Sequence, residues 1–299
     1  RPPVAPTRGP APPAMTRELK GGAVIGILAG GGGLPLEVAR SVTARGGHVH
    51  IVGIRGEADA RIESYPHSWV KWGEVGGILR AFAAAGCRSM VIIGAVHRPD
   101  LANVRLDLGA IRNLPLLLSL KAGGDDSILS TIVRFFERKG LTVLGAHEVA
   151  PDLVAPEGRL GRHAPANEHT RDIARGSEVV RTLGRLDVGQ GAVVTRGYVL
   201  CVEAAEGTDD MLARAARLRQ WGEGKRRGVL VKMVKPGQEL RVDLPTIGPR
   251  TIELAAKAGL AGVAIESGRV LIAERAATIA AADRAGLFLV GFAAGDSAA

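Results

Sequence analysis

The sequence predicts an α/β protein with a Rossmann-like N-terminal domain, built on a parallel sheet, followed by a second α/β domain. Residues 24–29 form a continuous apolar run, which is typical of a buried parallel strand. Segments with helical spacing alternate with further short apolar runs along the chain. A Pro- and Gly-rich stretch at residues 151–167 separates two halves, and 299 residues suffice for two domains.

The predicted organisation follows from these composition changes. Residues 1–20 contain six prolines and no core-forming pattern, so we expect a disordered extension. The remaining predicted units are an N-terminal Rossmann-like domain, a linker, a C-terminal catalytic α/β domain and a loose tail, at residues 21–150, 151–167, 168–292 and 293–299.

Charge and composition limit the classes of partner. The net charge is +9 and the pI about 10.1, which favours nucleic acid, phosphates or an acidic membrane surface. Aromatic residues make up 3% of the chain, and it lacks helix-turn-helix, zinc-finger and oligonucleotide-binding signatures. We therefore predict no nucleic-acid partner.

Cysteine usage and hydropathy favour a cytoplasmic protein. Cys87 and Cys201 are far apart and form neither a disulfide framework nor a zinc-binding spacing, which fits a reducing compartment. The sequence has no apolar run of roughly 18 residues and no signal peptide, so we predict neither a spanning helix nor secretion.

A glycine loop follows the first predicted strand. Residues 30–33 are all glycine, Leu34 and Pro35 come next, and helical spacing continues to residue 44. A strand, a glycine loop and a helix start can bring backbone N–H groups to a phosphate. Pro35 replaces the third small residue of a dinucleotide fingerprint, and Arg55 replaces the acidic residue after the second strand, which argues against a nicotinamide cofactor. A tight turn without a ligand is the alternative.

Polar residues follow two other predicted strands of this domain. His97 and Arg98 come after the strand at 89–93 and would meet an anion or lie in an exposed turn. Asp125 and its neighbour Asp126 would cap the next helix or hold a base or sugar hydroxyl. The adjacent His147 and Glu148 lack identifiable partners for a metal site.

In the second half, two extended runs around a Gly turn, 191–195 and 198–203, predict a hairpin. A group of oxygen-bearing side chains follows: Glu206, Thr208, Asp209 and Asp210. Such donors suit Mg²⁺, which usually takes one or two carboxylates together with substrate phosphate oxygens. Capping of the helix at 211–218 by Thr208 or Asp209 is the alternative.

Asp243 lies in a predicted loop between a strand at 228–234 and a helix from residue 250. Arg241, Lys232 and Lys235 give this segment positive charge. Loops held by a rigid scaffold concentrate binding and catalytic groups. The local pattern alone favours a structural role for Asp243, as a helix cap or turn residue.

Taken in order, these motifs resemble one family, the two-domain, magnesium-dependent UDP-2,3-diacylglucosamine pyrophosphatases of lipid A synthesis, which are distinct from the calcineurin-like enzymes. The resemblance spans residues 25–291. It rests on Ala29-Gly30-Gly31-Gly32 with Leu34-Pro35, Arg98-Pro99-Asp100, Gly124-Asp125-Asp126, Gly145-Ala146-His147-Glu148, Gly158-Arg159-Leu160-Gly161, residues 184–191, Glu206-Gly207-Thr208-Asp209 and residues 241–248.

The resemblance implies hydrolysis of UDP-2,3-diacylglucosamine to UMP and 2,3-diacylglucosamine 1-phosphate, with water attacking the sugar-side phosphorus. It implies Mg²⁺ as cofactor, substrate held between the domains, and Asp243 as the essential aspartate, which either ligates the metal with Asp209 or orients the water. The expected substrate-binding residues are Gly30, Gly31, Gly32, Leu34, Pro35, Arg98, Gly124, Asp125, Gln190, Glu206, Gly207, Thr208 and Lys232.

Further expectations concern partners and alternatives. The basic surface predicts peripheral association with the anionic inner membrane from the cytoplasmic side, and a homodimer is possible. The competing functions are a nicotinamide-dependent oxidoreductase and a non-catalytic nucleotide-binding protein. Neither alternative gives the carboxylates Glu206, Asp209 and Asp243 a task. The roles of Asp187, His97, His147 and Glu148 stay open.

Overall fold

The computed structural model describes residues 22–96, 125–218 and 225–293. The first sheet contains five parallel strands in the order β3-β2-β1-β4-β5. The strands are β1 (Val24–Ala29), β2 (His48–Ile54), β3 (His67–Val70), β4 (Ser89–Ile93) and β5 (Thr142–Leu144). The predicted Rossmann-like parallel sheet is therefore confirmed.

Helices cover both faces of this sheet, because alternate β1 residues enter two different cores. Ile25 and Ile27 pack with helix α1, whereas Leu28 packs with Phe82 from α2. Gly26 permits this second contact, since a Cβ there would lie 2.6 Å from Phe82 Cε1. The helices are α1 (Leu34–Ala44), α2 (Val75–Ala84), α3 (Asp125–Arg138) and α4 (Ala146–Val149), with 3-10 turns at Ala60–Ser64 and Pro151–Leu153.

The second sheet has six strands in the order β6-β13-β11-β9-β7-β8. Its central strands β13, β11 and β9 are parallel, whereas β6, β7 and β8 pair antiparallel. A separate parallel pair joins β10 to β12. The strands are β6 (Gly158–Arg159), β7 (Gly191–Thr195), β8 (Tyr198–Val202), β9 (Val229–Lys232), β10 (Thr246–Ile247), β11 (Gly262–Glu266), β12 (Leu271–Ile272) and β13 (Phe288–Phe292).

The described part of the second half also contains four helices: α5 (Asn167–Gly184), α6 (Gly207–Leu218), α7 (Pro249–Lys257) and α8 (Arg275–Ala285). The predicted hairpin is present as β7–β8. Strand β6 lies inside the segment predicted as a linker and adds an edge to the second sheet. The second α/β domain is thus confirmed, while the domain bounds stay predictions.

The two halves meet along β10, β12 and the loop before β10. Leu271 is buried in the core beside β1 and α1, and Leu244 packs against the same core. Val242 packs against the other core of the first sheet. Because these three residues come from the second half, the junction between the halves contains apolar contacts. In the part of the chain that the structure describes, no helix is long and apolar enough to cross a membrane.

Candidate interdomain active site

A cleft of about 740 Å³ lies at the junction of the two halves. The first half contributes the glycine loop, the start of α1, the end of β4 and Ala146. The second half contributes Asp209, the Asp243 loop, β10, the start of α7 and the turn between β12 and α8. The cleft therefore joins the carboxyl end of a parallel sheet to the loops of another domain, a place where α/β proteins commonly bind ligands.

The glycine loop is fixed by backbone contacts alone. Gly30 N–H donates to the Ile93 carbonyl at 2.9 Å, and Gly31 exchanges hydrogen bonds with Ala95 at 2.6 and 3.0 Å. A Cβ on Gly30 would lie 2.5 Å from the Ala95 carbonyl oxygen, so the close approach requires glycine. Gly31 and Gly32 line the cleft, whereas Gly30 packs behind them.

A buried glutamine holds the Asp243 loop. Gln238 Nε2 donates to Asp243 Oδ2 at 2.6 Å and to its carbonyl oxygen at 2.7 Å. Gln238 Oε1 accepts the Lys235 N–H at 2.8 Å. Since all three bonds converge on a side chain only 7% exposed, the Asp243 carboxylate has a defined orientation at the cleft.

An arginine at the same loop connects it to the first half. Arg241 binds both carboxylate oxygens of Glu239, at 2.8 and 2.7 Å, and reaches Glu137 of α3 at 2.8 Å. The hydrogen bonds from Arg241 lower the pKa of Glu239 and raise the pKa of the guanidinium itself. The loop that carries Asp243 is thus tied to the other domain by charge-assisted hydrogen bonds.

Asp209 lies on the same cleft and is paired. Arg250 at the start of α7 donates to Asp209 Oδ2, and both residues line the cleft. The pair is solvent-accessible, with Arg250 77% and Asp209 44% exposed. Asp209, Arg250 and Asp243 therefore line the same cleft.

A second polar cluster lies at the carboxyl end of β9. Thr208 Oγ1 donates to Glu203 Oε2 at 3.0 Å and accepts a hydrogen bond from Lys232 Nζ. The Gln190 carbonyl accepts the Met233 N–H at 3.0 Å, and Gln190 Oε1 is buried without a partner among the described residues. None of these residues is part of the cleft lining.

The predicted site residues fall into three groups. Those that line the cleft are Gly31, Gly32, Leu34, Asp209 and Asp243. Those that lie outside its lining are Gly30, Pro35, Gln190, Glu206, Gly207, Thr208 and Lys232. Those outside the described residues are Arg98 and Gly124, together with His97; Asp125 begins α3, but its side chain is outside the description.

Of the four residues whose roles stayed open, Glu148, His147 and Asp187 lie in the described part of the chain. Glu148 Oε2 accepts the Gly145 N–H at 2.7 Å, which closes the first turn of α4. Burial lowers the pKa of His147 in the same turn. Asp187 has a left-handed backbone, with φ of 56°, and pairs with the buried ammonium group of Lys235.

Two cleft features were not found by sequence reasoning. Gln238 belongs to none of the motifs named above, although its separation of five residues from Asp243 permits a contact within one loop. Glu37 of α1 accepts the Glu274 N–H at 2.9 Å, a contact between residues 237 positions apart, for which the sequence offers no local signal.

The carboxylates of the cleft match one mode of divalent-cation binding. Within residues 22–96, 125–218 and 225–293, no three His, Cys, Asp or Glu side chains are grouped closely enough to hold a metal ion. Mg²⁺ commonly takes one or two carboxylates and completes its shell with water and substrate phosphate oxygens. Asp243 and Asp209 supply carboxylates on one cleft, and this donor chemistry fits that mode of binding.

The fold and the cleft define a two-domain α/β protein with a ligand site at the domain junction. Two family models match the chain, the LpxI N-terminal domain over residues 24–153 and the LpxI C-terminal domain over residues 156–290. A relative from Caulobacter vibrioides, UDP-2,3-diacylglucosamine pyrophosphatase LpxI, is 47% identical over 270 residues, covering 89% of this chain and 96% of the relative. The chain belongs to the LpxI family, which confirms the resemblance predicted from its motifs.

Proposed function

We propose that this chain hydrolyses UDP-2,3-diacylglucosamine to UMP and 2,3-diacylglucosamine 1-phosphate. The family membership and the activity named for the Caulobacter relative support this reaction. The structural observation that carries it is Asp243, held by Gln238 in a cleft that also contains the glycine loop of the other domain. A pyrophosphate needs such a combination of anion-binding amides and a positioned carboxylate.

Each side of the cleft has a task in this reaction. The glycine loop and the start of α1 offer N–H groups and the positive end of a helix to one phosphate. Arg250 offers a cation that is exposed at the rim. Asp243, fixed by Gln238, orients the attacking water toward the sugar-side phosphorus. A bond forms between the water oxygen and that phosphorus, the bond to the bridging oxygen breaks, and UMP leaves.

Mg²⁺ is part of this proposal. Asp243 and Asp209 would hold it together with substrate oxygens, and the bound ion would neutralise pyrophosphate charge during the reaction. The two roles of Asp243 are separable by titrating Mg²⁺ while measuring UMP release by wild type and Asp243→Asn. A weakened metal ligand raises the Mg²⁺ concentration that gives half-maximal rate, whereas a lost water-orienting group lowers the rate at saturating Mg²⁺.

The proposed reaction is tested by UMP release from purified protein with Mg²⁺ and with excess EDTA. We expect release that requires Mg²⁺ and returns when Mg²⁺ is added back. Absence of UMP under every metal condition would refute the proposed hydrolysis and favour a non-catalytic nucleotide-binding protein. Hydrolysis in water labelled with ¹⁸O locates the attack, because the label enters the sugar phosphate and not UMP.

We also propose that one end of the second sheet docks on an anionic membrane surface. Tyr198 and Leu218 are exposed there, by 79% and 47%. Tyr198 begins β8, and Leu218 ends α6, which packs against β8. Exposed basic residues accompany them at Arg196, Arg217 and Lys225. An apolar tip surrounded by cations is typical of binding to the headgroup region.

Sedimentation with phosphatidylcholine vesicles, with and without phosphatidylglycerol, tests this surface. We expect binding only to the anionic vesicles, and its loss in the double variant Tyr198→Ser, Leu218→Ser. Leu186→Ser is the matched control. Leu186 is 74% exposed, but it follows the C-terminal end of α5 and belongs to neither β8 nor α6. Equal binding by the double variant and the control would refute the assignment of this surface.

A further inference from the structure

Glu37 is a carboxyl group on the cleft that the proposed reaction does not use. It lies in α1, just after the glycine loop, and lines the cleft. Its Oε2 accepts the Glu274 N–H at 2.9 Å from the second domain. Its Oε1 is buried and has no hydrogen-bond partner among the described residues.

A buried polar atom without a partner needs an explanation, since it has lost its contacts with water. Burial is the largest influence on Glu37 and raises its pKa above the ordinary value, against the lowering effect of the Glu274 N–H. A partner that arrives with a ligand would offset the cost of this burial. The position in the cleft makes a ligand the natural source of that partner.

The chemistry of the missing partner follows from the acceptor. An anionic phosphate oxygen cannot donate a hydrogen bond to a carboxylate, and like charges repel, so the pyrophosphate is excluded. A hydroxyl group is a donor. In dinucleotide-binding folds, a protein carboxylate accepts hydrogen bonds from the ribose hydroxyl groups in this way. Those folds place the acidic residue after the second strand. In this chain Arg55 occupies that position and cannot accept a hydrogen bond from a sugar hydroxyl.

We infer that Glu37 is a substrate-contacting residue whose free carboxylate oxygen accepts a hydrogen bond from a hydroxyl group of the nucleotide sugar. This assignment rests on the proposed function, because it takes UDP-2,3-diacylglucosamine as the ligand. Either the ribose or the glucosamine ring supplies the hydroxyl. The second oxygen of the same carboxylate accepts the Glu274 N–H. One side chain of the first domain therefore contacts both the sugar and the second domain.

Titration calorimetry on the full chain separates the two sources. The probes are UMP, 2′,3′-dideoxyuridine monophosphate and UDP-N-acetylglucosamine, each with wild type and Glu37→Met, which keeps the side-chain length without an acceptor. Loss of a hydrogen bond to a charged group weakens binding about ten-fold. A loss confined to UDP-N-acetylglucosamine assigns the glucosamine hydroxyl. A loss for UMP that is absent for the dideoxy probe assigns the ribose.

Two further variants guard against a purely structural effect. Arg275→Ala removes the hydrogen bond from Arg275 to the Asp152 carbonyl, next to Glu274, without touching Glu37. Glu37→Gln keeps an acceptor and the side-chain shape, and we expect a smaller loss of about three-fold with an unchanged melting temperature.

Equal affinities of wild type and Glu37→Met for all three probes would overturn the inference, as would an equal loss in Arg275→Ala. These results leave the proposed function standing if wild type releases UMP from UDP-2,3-diacylglucosamine. Wild-type protein that neither releases UMP nor binds any uridine probe would overturn both.

Discussion

The two loops that form the cleft are built in different ways. The glycine loop is shaped by backbone hydrogen bonds to Ile93 at the end of β4 and to Ala95 just after it, and its residues have no side chains to contribute. The Asp243 loop is shaped by side chains, chiefly Gln238 and Arg241. The first loop is therefore sensitive to added atoms, and the second is sensitive to removed ones.

The largest effect is expected at Gly30. Gly30→Val would place a Cβ 2.5 Å from the Ala95 oxygen and 2.8 Å from the Gly94 oxygen, which are backbone atoms that cannot turn away. We expect the free energy of unfolding to fall by about 2 kcal/mol or more, and UMP release to fall with it. Chemical denaturation and the UMP assay measure the two effects.

Gly33→Ala is the matched control for this loop. Its φ is −84° and the nearest atom to an added Cβ is Glu37 Oε1 at 3.8 Å, so we expect the free energy of unfolding to stay near that of the wild type. An equal fall in the free energy of unfolding for Gly30→Val and Gly33→Ala would contradict the idea that close backbone contacts define the loop.

Removal of the glutamine clamp is the next largest effect. Gln238→Leu preserves approximate volume but removes three hydrogen bonds, two of them to Asp243. We expect kcat to fall about 10- to 100-fold with little change in KM, because the carboxylate loses its orientation and not its charge. Gln238→Glu restores the acceptor for the Lys235 N–H but not the donor to Asp243. A higher KM with an unchanged kcat would show that Gln238 does not position Asp243.

Arg241→Ala tests the link between the Asp243 loop and α3. The three carboxylate contacts of Arg241 are partly exposed, so we expect a loss of about 1 kcal/mol in the free energy of unfolding. Its bond lowers the pKa of Glu239 in the folded state below the ordinary 4.5. A lowered folded-state pKa stabilises above the unfolded value, and the stabilisation disappears as the pH falls through the folded value.

The difference in stability between wild type and Arg241→Ala should accordingly be constant at neutral pH and shrink below about pH 4.5. Denaturant titrations at pH 7, 5 and 3.5 measure it. A difference that grows with acidity would contradict the assigned ion pair.

The smallest effect is expected for Arg250→Ala. The Arg250–Asp209 pair is highly exposed, and solvent screens such pairs. We expect no measurable change in melting temperature, but a higher KM if Arg250 meets the pyrophosphate at the rim. A clear fall in melting temperature would indicate that the Arg250–Asp209 pair stabilises the fold instead.

The same contrast explains which features the sequence predicted. Apolar runs and punctuating glycines predicted strand β1, the glycine loop and the β7–β8 hairpin, because these depend on residues close together in the chain. The short strand β10 was not predicted, since it forms only by pairing with β12, some 25 residues later. Backbone-built features are local, and local patterns reveal them.

Side-chain contacts across the junction were beyond such patterns. The resemblance drew attention to Asp243, but Gln238 and its three hydrogen bonds depend on an irregular loop with no periodicity. Glu37 looks like an ordinary polar position of an amphipathic helix until Glu274 is brought beside it by the folding of both halves. Lys232 and Thr208, which were predicted to bind substrate, form a polar cluster with Glu203 outside the cleft lining.

The most direct measurement is the rate of UMP release from UDP-2,3-diacylglucosamine by Asp243→Ala beside Asp210→Ala. Both changes remove one carboxylate, but Asp210 is exposed and outside the cleft lining. We predict a loss of about 100-fold or more for Asp243→Ala, comparable to removal of one group that stabilises a transition state, and a rate near wild type for Asp210→Ala. Equal rates for the two variants would contradict the assignment of the interdomain cleft as the active site.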